Sequence, residues 1–384
     1  MEQTENTEIL PDAGKEKPIL VHCADLHLDS VFSTFPPQSA KAKRRREEQL
    51  TVLGRIIFLA RKTGASFLLI AGDLFDEARV STDTLDFINE RFKMIPQVSV
   101  CIAAGNHDPY KPDSPYVTYN WNENVHIFTD ELDYFEKGKV RIYGRSFSSH
   151  FARKPLIRDR EGNLPQLDSA FLNILLMHGD IGNSNSVYNP IDPEDIQKCG
   201  FDYAALGHIH KASEIKYAGY TPYCYCGVPE GRGFDESGPC GVMLCQLGKG
   251  FSKVRFVSTA IRKYIVSHID ITDCESNEDI CSAILESCPQ NDDLYRIVLE
   301  GTLSENFRLS AGRLRTILDE RYFYIQIKDN TKIEANLELL QKEVSIKGLF
   351  VKNILSQDVS DKLKDQALKY GLQAFEGEVS ADDN

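Results

Sequence analysis

Five short polar motifs divide the first 210 residues of this sequence, and each follows a short apolar run. Apolar runs of this kind, ending in polar residues, are typical of buried strands. Helical patterns over 40–63 and 82–94 separate the first three motifs. The order of strand, motif and helix predicts an α/β fold with functional groups at the strand ends. The motifs are Asp25-Leu-His27, Gly72-Asp73-Leu-Phe-Asp76, Gly105-Asn106-His107-Asp108, His178-Gly-Asp180 and Gly207-His208-Ile-His210.

The remainder of the chain changes character twice. Short β-like runs separated by glycines fill 216–257, and we expect them to form a second, more antiparallel sheet of the same domain. Alternating strand-like and helical runs from 264 to 328 predict a small α/β domain. Two apolar faces with helical spacing then predict C-terminal helices. These faces are Ile333, Leu337, Leu340 and Val344, followed by Leu363, Ala367, Tyr370 and Ala374.

The predicted organisation therefore has four parts. They are a disordered leader 1–17, a main domain 18–262, a small α/β domain 263–330, and C-terminal helices with an acidic tail 331–384.

Charge and composition restrict the function. The 384 residues carry a formal net charge of -13, which repels phosphate backbones and excludes a general coat for nucleic acid. A nucleic-acid substrate needs a local basic strip, a metal site or a partner. No stretch approaches the ~20 apolar residues of a membrane helix, and the first residues lack a signal-peptide core. We therefore expect a cytoplasmic protein with reduced cysteines. Cys224, Cys226, Cys240 and Cys245 are expected to be buried apolar residues, with a zinc site as the less favoured alternative.

Histidine is concentrated in the motifs. Five of the nine histidines lie there, each near a carboxylate, an amide or a second histidine. Imidazole together with carboxylate suits zinc, iron and manganese, and strand ends are rigid enough to hold metal ligands in place. One Asp-x-His pair occurs often by chance. Five motifs in order, each after a predicted buried strand, predict a metal centre.

The set of motifs resembles that of the calcineurin-like metallophosphoesterase superfamily. Three longer segments are similar to one of its branches, the SbcD/YhaO-type DNA-repair exonucleases. Cys226 stands where that branch commonly has proline. The resemblance implies a four-layer α-β-β-α sandwich, with the small C-terminal α/β domain as a cap. The three segments are 22–29, 71–76 and 227–235.

The resemblance also implies a role for each motif residue. Asp73 bridges two divalent ions, and a hydroxide between the ions attacks the phosphorus of a phosphodiester. His107 donates a proton or hydrogen bond to the leaving oxygen, and Asp108 orients His107. The first ion is held by Asp25, His27, Asp73 and His210, and the second by Asp73, Asn106, His178 and His208.

Basic residues near the motifs are candidate substrate contacts. A basic run, 41–46, begins the first long helix and is either a solvated face or a contact to phosphate, with Arg45 as the candidate. Arg232 either contacts phosphate or braces its glycine-rich loop. His22 is expected to pack in the core. We expect hydrogen bonds to the ligands, rather than metal coordination, from Asp29, Asp76 and Asp180. No motif includes His126, His150 or His268.

The leading interpretation is a metal-dependent DNA exonuclease or phosphodiesterase of DNA repair. By resemblance it uses two divalent ions, manganese in preference to iron, magnesium or zinc. DNA and an SMC-like ATPase subunit of SbcC/YhaN type are the expected partners, with the C-terminal helices docking the ATPase. A homodimer stays open, and no membrane partner is expected.

Two alternatives use the same motifs. The first is a phosphoesterase acting on nucleotides, other small phosphoesters or phosphoproteins, which the charge of -13 favours. The second is a regulatory subunit with a vestigial site. The complete ligand set argues against the second, because a decayed site loses ligands.

Overall fold

The computed structural model describes residues 17–76, 80–304, 307, 309–334 and 337–375. The chain divides into two compact units, Met1–Lys263 and Tyr264–Asn384. Apart from Lys17, the predicted leader lies outside the described residues, as does the tail after Phe375. None of the helices in these described ranges is long and apolar enough to cross a membrane.

The first unit contains twelve strands and four α-helices within its described residues. The strands are β1 Ile19–Cys23, β2 Phe67–Ile70, β3 Ser99–Ile102, β4 Val125–Ile127, β5 Asp133–Lys137, β6 Val140–Gly144, β7 Leu172–His178, β8 Tyr203–Gly207, β9 Lys216–Ala218, β10 Thr221–Tyr225, β11 Gly241–Gly248 and β12 Phe251–Ser258. The helices are α1 Ala40–Lys62, α2 Thr82–Lys93, α3 Pro115–Thr118 and α4 Pro193–Cys199.

These strands form two six-stranded sheets, ordered β12-β11-β1-β2-β3-β4 and β5-β6-β7-β8-β10-β9. Parallel pairing joins β1 to β2 and β2 to β3 in the first sheet, and β6 to β7 and β7 to β8 in the second. The expectation of a separate sheet over 216–257 is wrong. Instead, β9 and β10 extend the second sheet, and β11 and β12 extend the first. Antiparallel strands need no crossover helix, which explains why helical patterns vanish in this segment.

Side chains alternate between layers along the strands. Leu20 of β1 packs between the two sheets, whereas Val21 packs against α1 and α2. In β7, Leu176 packs between the sheets, whereas Leu175 packs on the outer side with α4. Successive strand residues point to opposite faces, so the order of layers is helix, sheet, sheet, helix. The four-layer α-β-β-α sandwich is confirmed.

Helix α1 shows how the local sequence sets these elements. Ser39 caps its start, because the Ser39 side chain accepts a hydrogen bond of 3.2 Å from the Ala42 N–H. Ile56 and Ala60, four residues apart, are fully buried against the first sheet. The helix ends at Lys62, and Gly64 follows with a φ of 63° that favours glycine. The helix predicted over 40–63 is confirmed.

The second unit is a small α/β structure, as expected. Strands β13, β14 and β16 form a parallel sheet, and β15 pairs with β17. The strands are β13 Tyr264–Asp270, β14 Leu294–Glu300, β15 Thr302–Ser304, β16 Tyr324–Asp329 and β17 Lys332–Glu334. The helices are α5 Asn277–Ser287, α6 Ala311–Leu318, α7 Leu337–Leu340, α8 Ile346–Ser356 and α9 Asp361–Phe375.

The C-terminal helices differ from the prediction in one element and in one face. Ile333 belongs to strand β17, so the predicted helix starting there is wrong. Among the described residues of that segment, only α7 is helical. Helix α9 is confirmed, but among its described side chains the buried apolar residues are Leu368 and Leu372. Leu363, on the predicted packing face, is 51% exposed. Spacing identifies a helix, whereas the choice of buried face depends on tertiary partners.

Candidate metal centre

The motifs that follow β1, β2 and β3 in the first sheet meet those that follow β7 and β8 in the second. The first two motifs are joined by backbone hydrogen bonds from Asp25 N to Gly72 O (3.0 Å) and from His27 N to Asp73 O (2.9 Å). The two sheets are joined where the His208 N–H donates to the Asp25 carboxylate at 3.1 Å. The five strand ends therefore build one site.

Backbone strain is concentrated at these positions. Asp25, His27, Asp73 and His208 have φ values of 54°, 45°, 51° and 104°. Residues other than glycine rarely adopt positive φ, and each such position costs on the order of 1–3 kcal/mol. Such strain persists where the surroundings impose it, which is characteristic of functional sites.

Two glycines let the backbones approach the ligands. A Cβ at Gly72 would lie 2.4 Å from His178 Nδ1, and the φ of Gly72 is +89°. A Cβ at Gly105 would lie 2.1 Å from the Asp73 carboxylate. Neither position admits a side chain without displacing a candidate ligand.

The first group of donors is Asp25, His27 and His210, whose ligand atoms lie within 4.8 Å of one another. The Nε2 atoms of His27 and His210 are 3.3 Å apart. His210 Nε2 lies 3.9 Å from the Asp25 carboxylate. His27 is fully buried and Asp25 is 1% exposed, so their donor atoms converge in an environment shielded from water.

The second group is Asp25, Asp73 and His178, again within 4.8 Å. His178 Nε2 is 2.9 Å from Asn106 Oδ1 and 3.4 Å from Asp73 Oδ2. The rings of His178 and His208 have centroids 5.1 Å apart. The same Asp73 Oδ2 lies 3.6 Å from His27 Nε2 in the first group. One carboxylate oxygen thus lies between the two groups of imidazoles.

Burial and mutual charge govern the protonation of these groups. Burial, strengthened by the nearby Asp73 carboxylate, raises the pKa of Asp25 to about 6. Burial also acts to raise the pKa of Asp73, but the adjacent His178, His27 and His107 hold it well below its usual range. Burial lowers the pKa of His27 to about 4, which keeps its ring neutral and able to ligate.

These residues fit two divalent ions. Four imidazoles, two carboxylates and one amide oxygen are donors that zinc, iron and manganese accept. Two buried carboxylates repel each other unless positive charge lies between them. The donor set therefore suits a pair of divalent cations.

His107 differs from its neighbours because its side chain is 51% exposed. Its Nδ1 lies 3.3 Å from Asp76 Oδ1, an oxygen that is also 3.3 Å from His27 Nδ1. The hydrogen bond to Asp76 raises the pKa of His107. An accessible imidazole with a raised pKa, lying beside the ligands, is suited to donate a proton.

Asp108 does not orient His107, contrary to the expectation. Its fully buried carboxylate accepts hydrogen bonds from the backbone N–H groups of Asp73 (3.1 Å), Leu74 (2.6 Å) and Gly105 (2.7 Å). The Tyr116 hydroxyl donates a further hydrogen bond of 2.6 Å. Asp108 therefore fixes the loop that carries Asp73. Asp76 is the carboxylate that pairs with His107, and the second Asp of Gly-Asp-x-x-Asp was the signal for it.

The prediction of Arg45 as a phosphate contact is also wrong, because the Arg45 side chain is fully buried. Its guanidinium donates to Glu48 at 2.6 Å and to Glu230 at 2.5 Å. Arg262 donates to the same Glu48 at 2.7 Å. These four residues form what we call the buried ion-pair network. Of the basic run, Lys43 and Arg44 are exposed.

Arg232 lies at the edge of the site and is held by Glu236, a residue that the sequence analysis missed. The Arg232 guanidinium donates to Glu236 Oε1 at 2.9 Å, and His210 Nδ1 lies 2.7 Å from that oxygen. Glu236 thus fixes both a candidate ligand and the candidate phosphate contact. It ends a short 3₁₀ helix, Phe234–Glu236, 26 positions after His210. The sequence there has no periodic pattern, so no signal singled Glu236 out.

The residues set aside behave largely as expected. His22 is buried, with its ring nitrogens 3.0 Å from the Tyr203 hydroxyl and 3.1 Å from the Leu206 carbonyl oxygen, which confirms a hydrogen-bonded core histidine. Cys224 and Cys245 pack between the sheets. In the described parts of the chain, the residue groups close enough to hold a metal contain no cysteine.

Two known proteins are similar to this chain over most of its length. Uncharacterized metallophosphoesterase YhaO of Bacillus subtilis is 29% identical over 373 residues, which cover 90% of this chain and 88% of YhaO. DNA double-strand break repair protein Mre11 of Methanopyrus kandleri is 22% identical over 355 residues, which cover 83% of this chain and 74% of Mre11.

A remote match is found among solved structures. TT1561 of Thermus thermophilus has 12% identity and a TM-score of 0.37, covering 62% of this chain and 99% of TT1561.

The family model described as Calcineurin-like phosphoesterase matches residues 19–212, the span that contains the five motifs. This match covers half of the chain. The chain belongs to the calcineurin-like phosphoesterase family and is a phosphoester hydrolase that uses divalent metal ions.

Proposed function

We propose that this protein is a two-metal DNA exonuclease. The observation that carries the proposal is the position of Asp73, whose Oδ2 lies between His27 of one donor group and His178 of the other. We assign the first ion to Asp25, His27, Asp73 and His210, and the second to Asp73, Asn106, His178 and His208, with manganese as the preferred metal.

The residues of the chain divide the chemistry between them. Bound divalent ions supply Lewis acidity, which activates water and withdraws charge from phosphoryl oxygens. His107 stands outside the ligand set and donates its proton to the leaving oxygen of the phosphodiester. Asp76 raises the pKa of His107 and so keeps that proton available. Arg232, held by Glu236, contacts the phosphate.

The DNA substrate is supported by similarity over most of the chain to a protein named for double-strand break repair. A net charge of -13 opposes tight general binding of DNA. DNA must therefore be held locally at the metal centre, or by a partner.

That partner is an SMC-like ATPase of SbcC/YhaN type, and we assign its docking to the C-terminal helices. Helix α8 exposes Ile346 and Leu349, which are 77% and 68% exposed. Large exposed apolar residues close together mark interaction surfaces. Ile346→Glu with Leu349→Glu should abolish co-purification of the ATPase while nuclease-domain activity on small phosphodiesters persists. Unchanged co-purification would remove α8 from the interface.

End-labelled DNA with Mn²⁺ tests the proposed activity. The expected result is release of mononucleotides from one end, with a small phosphodiester turned over more slowly. Turnover of small phosphodiesters or phosphomonoesters without DNA digestion would favour the alternative of a phosphoesterase acting on small phosphoesters or phosphoproteins. The net charge of -13 favours that alternative. Metal-free protein with no activity after Mn²⁺ addition would indicate a vestigial site.

A further inference from the structure

A loop after β6 is clamped to the backbone of two candidate ligands. At one end, His150 Nδ1 lies 2.8 Å from the carbonyl oxygen of Asn106. At the other, the Asn189 backbone N–H donates to the Ala152 carbonyl at 2.7 Å, while the Asn189 side-chain amide donates to the His178 carbonyl at 2.7 Å. Asn189 is fully buried. The position of this loop relative to the metal centre is therefore fixed.

Two aromatic rings lie between the candidate ligand His208 and solvent. One is on this loop, and the other is on the loop that follows β7. The ring of Tyr188 lies 5.0 Å from the ring of His208, centroid to centroid, with an interplanar angle of 40°. The ring of Phe151 lies 5.8 Å from that of Tyr188, at 31°. Phe151 is 54% exposed. The exposed ring of Phe151 thus packs on Tyr188, which in turn packs on the candidate ligand His208.

Unpaired positive charge accompanies the exposed ring. Arg153 and Lys154 are exposed, and within the described residues neither takes part in an ion pair. Arg153 also lines a cavity of about 470 Å³, together with Arg158, Asn183 and Ser184. The same cavity is lined by Asp192 and Asp195, and Arg158 pairs with Asp195, so the unpaired positive charge at this loop is that of Arg153 and Lys154.

Single exposed apolar side chains are common and need no explanation. Phe151 differs because its loop is anchored to the ligand-bearing backbone and because two basic residues follow it. Stacking aromatics combined with basic side chains are how proteins hold single-stranded nucleic acid without reading its sequence.

We propose that Phe151, supported by Tyr188 and flanked by Arg153 and Lys154, is a stacking platform for an unpaired base next to the phosphodiester at the metal centre. The platform makes single-stranded or frayed ends the favoured substrate. This inference rests on the proposed function and specifies its substrate.

Binding without metal tests the platform independently of activity. The full-length protein is titrated in chelator with a single-stranded oligonucleotide carrying 2-aminopurine at its end. Wild type should bind and quench the fluorophore. Phe151→Ala should weaken binding about tenfold, since stacking one base corresponds to roughly 5- to 150-fold in affinity. Quenching should be lost. An oligonucleotide with abasic ends should bind wild type and Phe151→Ala equally.

A matched control is Phe58→Ala, because Phe58 is 64% exposed on α1 and should leave binding and quenching unchanged. Arg153→Ala with Lys154→Ala should reduce the slope of log affinity against log salt by about 1.4. Equal affinity and quenching for wild type and Phe151→Ala would overturn the platform, and so would tighter binding of a blunt duplex. If wild type binds and quenches but digests no DNA with Mn²⁺, the proposed function fails while the platform stands.

Discussion

The metal centre and the buried ion-pair network place ionisable groups at similar depth in the first unit, but they balance charge differently. In the network, Glu48 is flanked by Arg45 and Arg262, and each residue is at most 5% exposed. In the metal centre, burial and, after it, the neighbouring Asp73 carboxylate raise the pKa of Asp25. Burial costs a charge its hydration in both places.

The difference separates structure from function. The network contains its own counter-charges, so removing one partner leaves a buried charge uncompensated. The metal centre sets its carboxylates against imidazoles instead. Burial acts to lower the pKa of His178, but Asp73 and Asp25 outweigh it and raise that pKa to about 9, whereas burial keeps His27 neutral. Buried carboxylates balanced by permanently charged arginines indicate a structural role, whereas buried carboxylates balanced by imidazoles, which can give up a proton to bind metal, indicate a ligand site.

The sharpest test of this comparison is Asp73→Asn. Loss of the shared carboxylate should lower kcat/KM by at least about 10³-fold. The repulsion between Asp73 and Asp25 is relieved, but the attraction of His178 and His27 for Asp73 is lost with it. The melting temperature of the metal-free protein should therefore fall less than that of Glu48→Ala. Scanning calorimetry and hydrolysis assays measure both. Asp133→Asn, an exposed change, is the control. A large drop in metal-free stability would show that Asp73 is structural.

His107→Ala should keep the metal and lose turnover. We expect kcat to fall about 10²- to 10³-fold with metal content equal to that of wild type, since general acid catalysis contributes on that order. Elemental analysis and kinetics on the same sample provide the measurement. His268→Ala, in the second unit, should leave both unchanged. Loss of metal from His107→Ala would show that His107 is a metal ligand, like the other histidines of the site.

Glu48→Ala tests the other side of the comparison. It should destabilise the fold by about 3 kcal/mol, since two arginines lose their buried partner, while activity per folded molecule is retained. Denaturant titration measures this, with the exposed neighbour Glu47→Ala as control.

The effect of Glu48→Ala should also depend on pH. Burial acts to raise the pKa of Glu48, but Arg262 and Arg45 outweigh it and lower the pKa. The contribution of Glu48 is therefore present above its unfolded pKa of 4.5 and is lost as pH falls through the folded value. A difference between wild type and variant that does not shrink on acidification would contradict this assignment.

Asp76→Asn should give the smallest effect, roughly tenfold in kcat. Asp76 raises the pKa of His107, so the variant should lose activity at lower pH on the alkaline side of its profile. A pH–rate profile measures the shift. An unchanged alkaline limb, with kcat reduced, would mean that Asp76 acts through His27 instead.

The strand-end residues could be singled out in the sequence because their signal is local. Asp25 and Asp73 each follow a short apolar run typical of a buried strand, and parallel strands bring such ends together. Partners that come from elsewhere in the chain leave no such signal. Asp108 and Arg45 were misassigned because their roles depend on Leu74 and Glu230, which are distant in sequence. The wrong helix prediction at Ile333 has the same cause. Ile333 fits the spacing of a helical face, but pairing with the distant strand β15 makes it a strand residue.

The positive φ at four candidate ligands has a consequence for protein engineering. An alanine scan across Asp25, His27, Asp73 and His208 mixes two effects, because alanine removes the donor and also fits poorly into a left-handed turn. Asparagine and glycine tolerate that backbone, so libraries should use them instead. We expect a variant with glycine at such a position to lose catalytic activity and to unfold at a higher temperature. This is the trade-off between stability and activity at a strained active site.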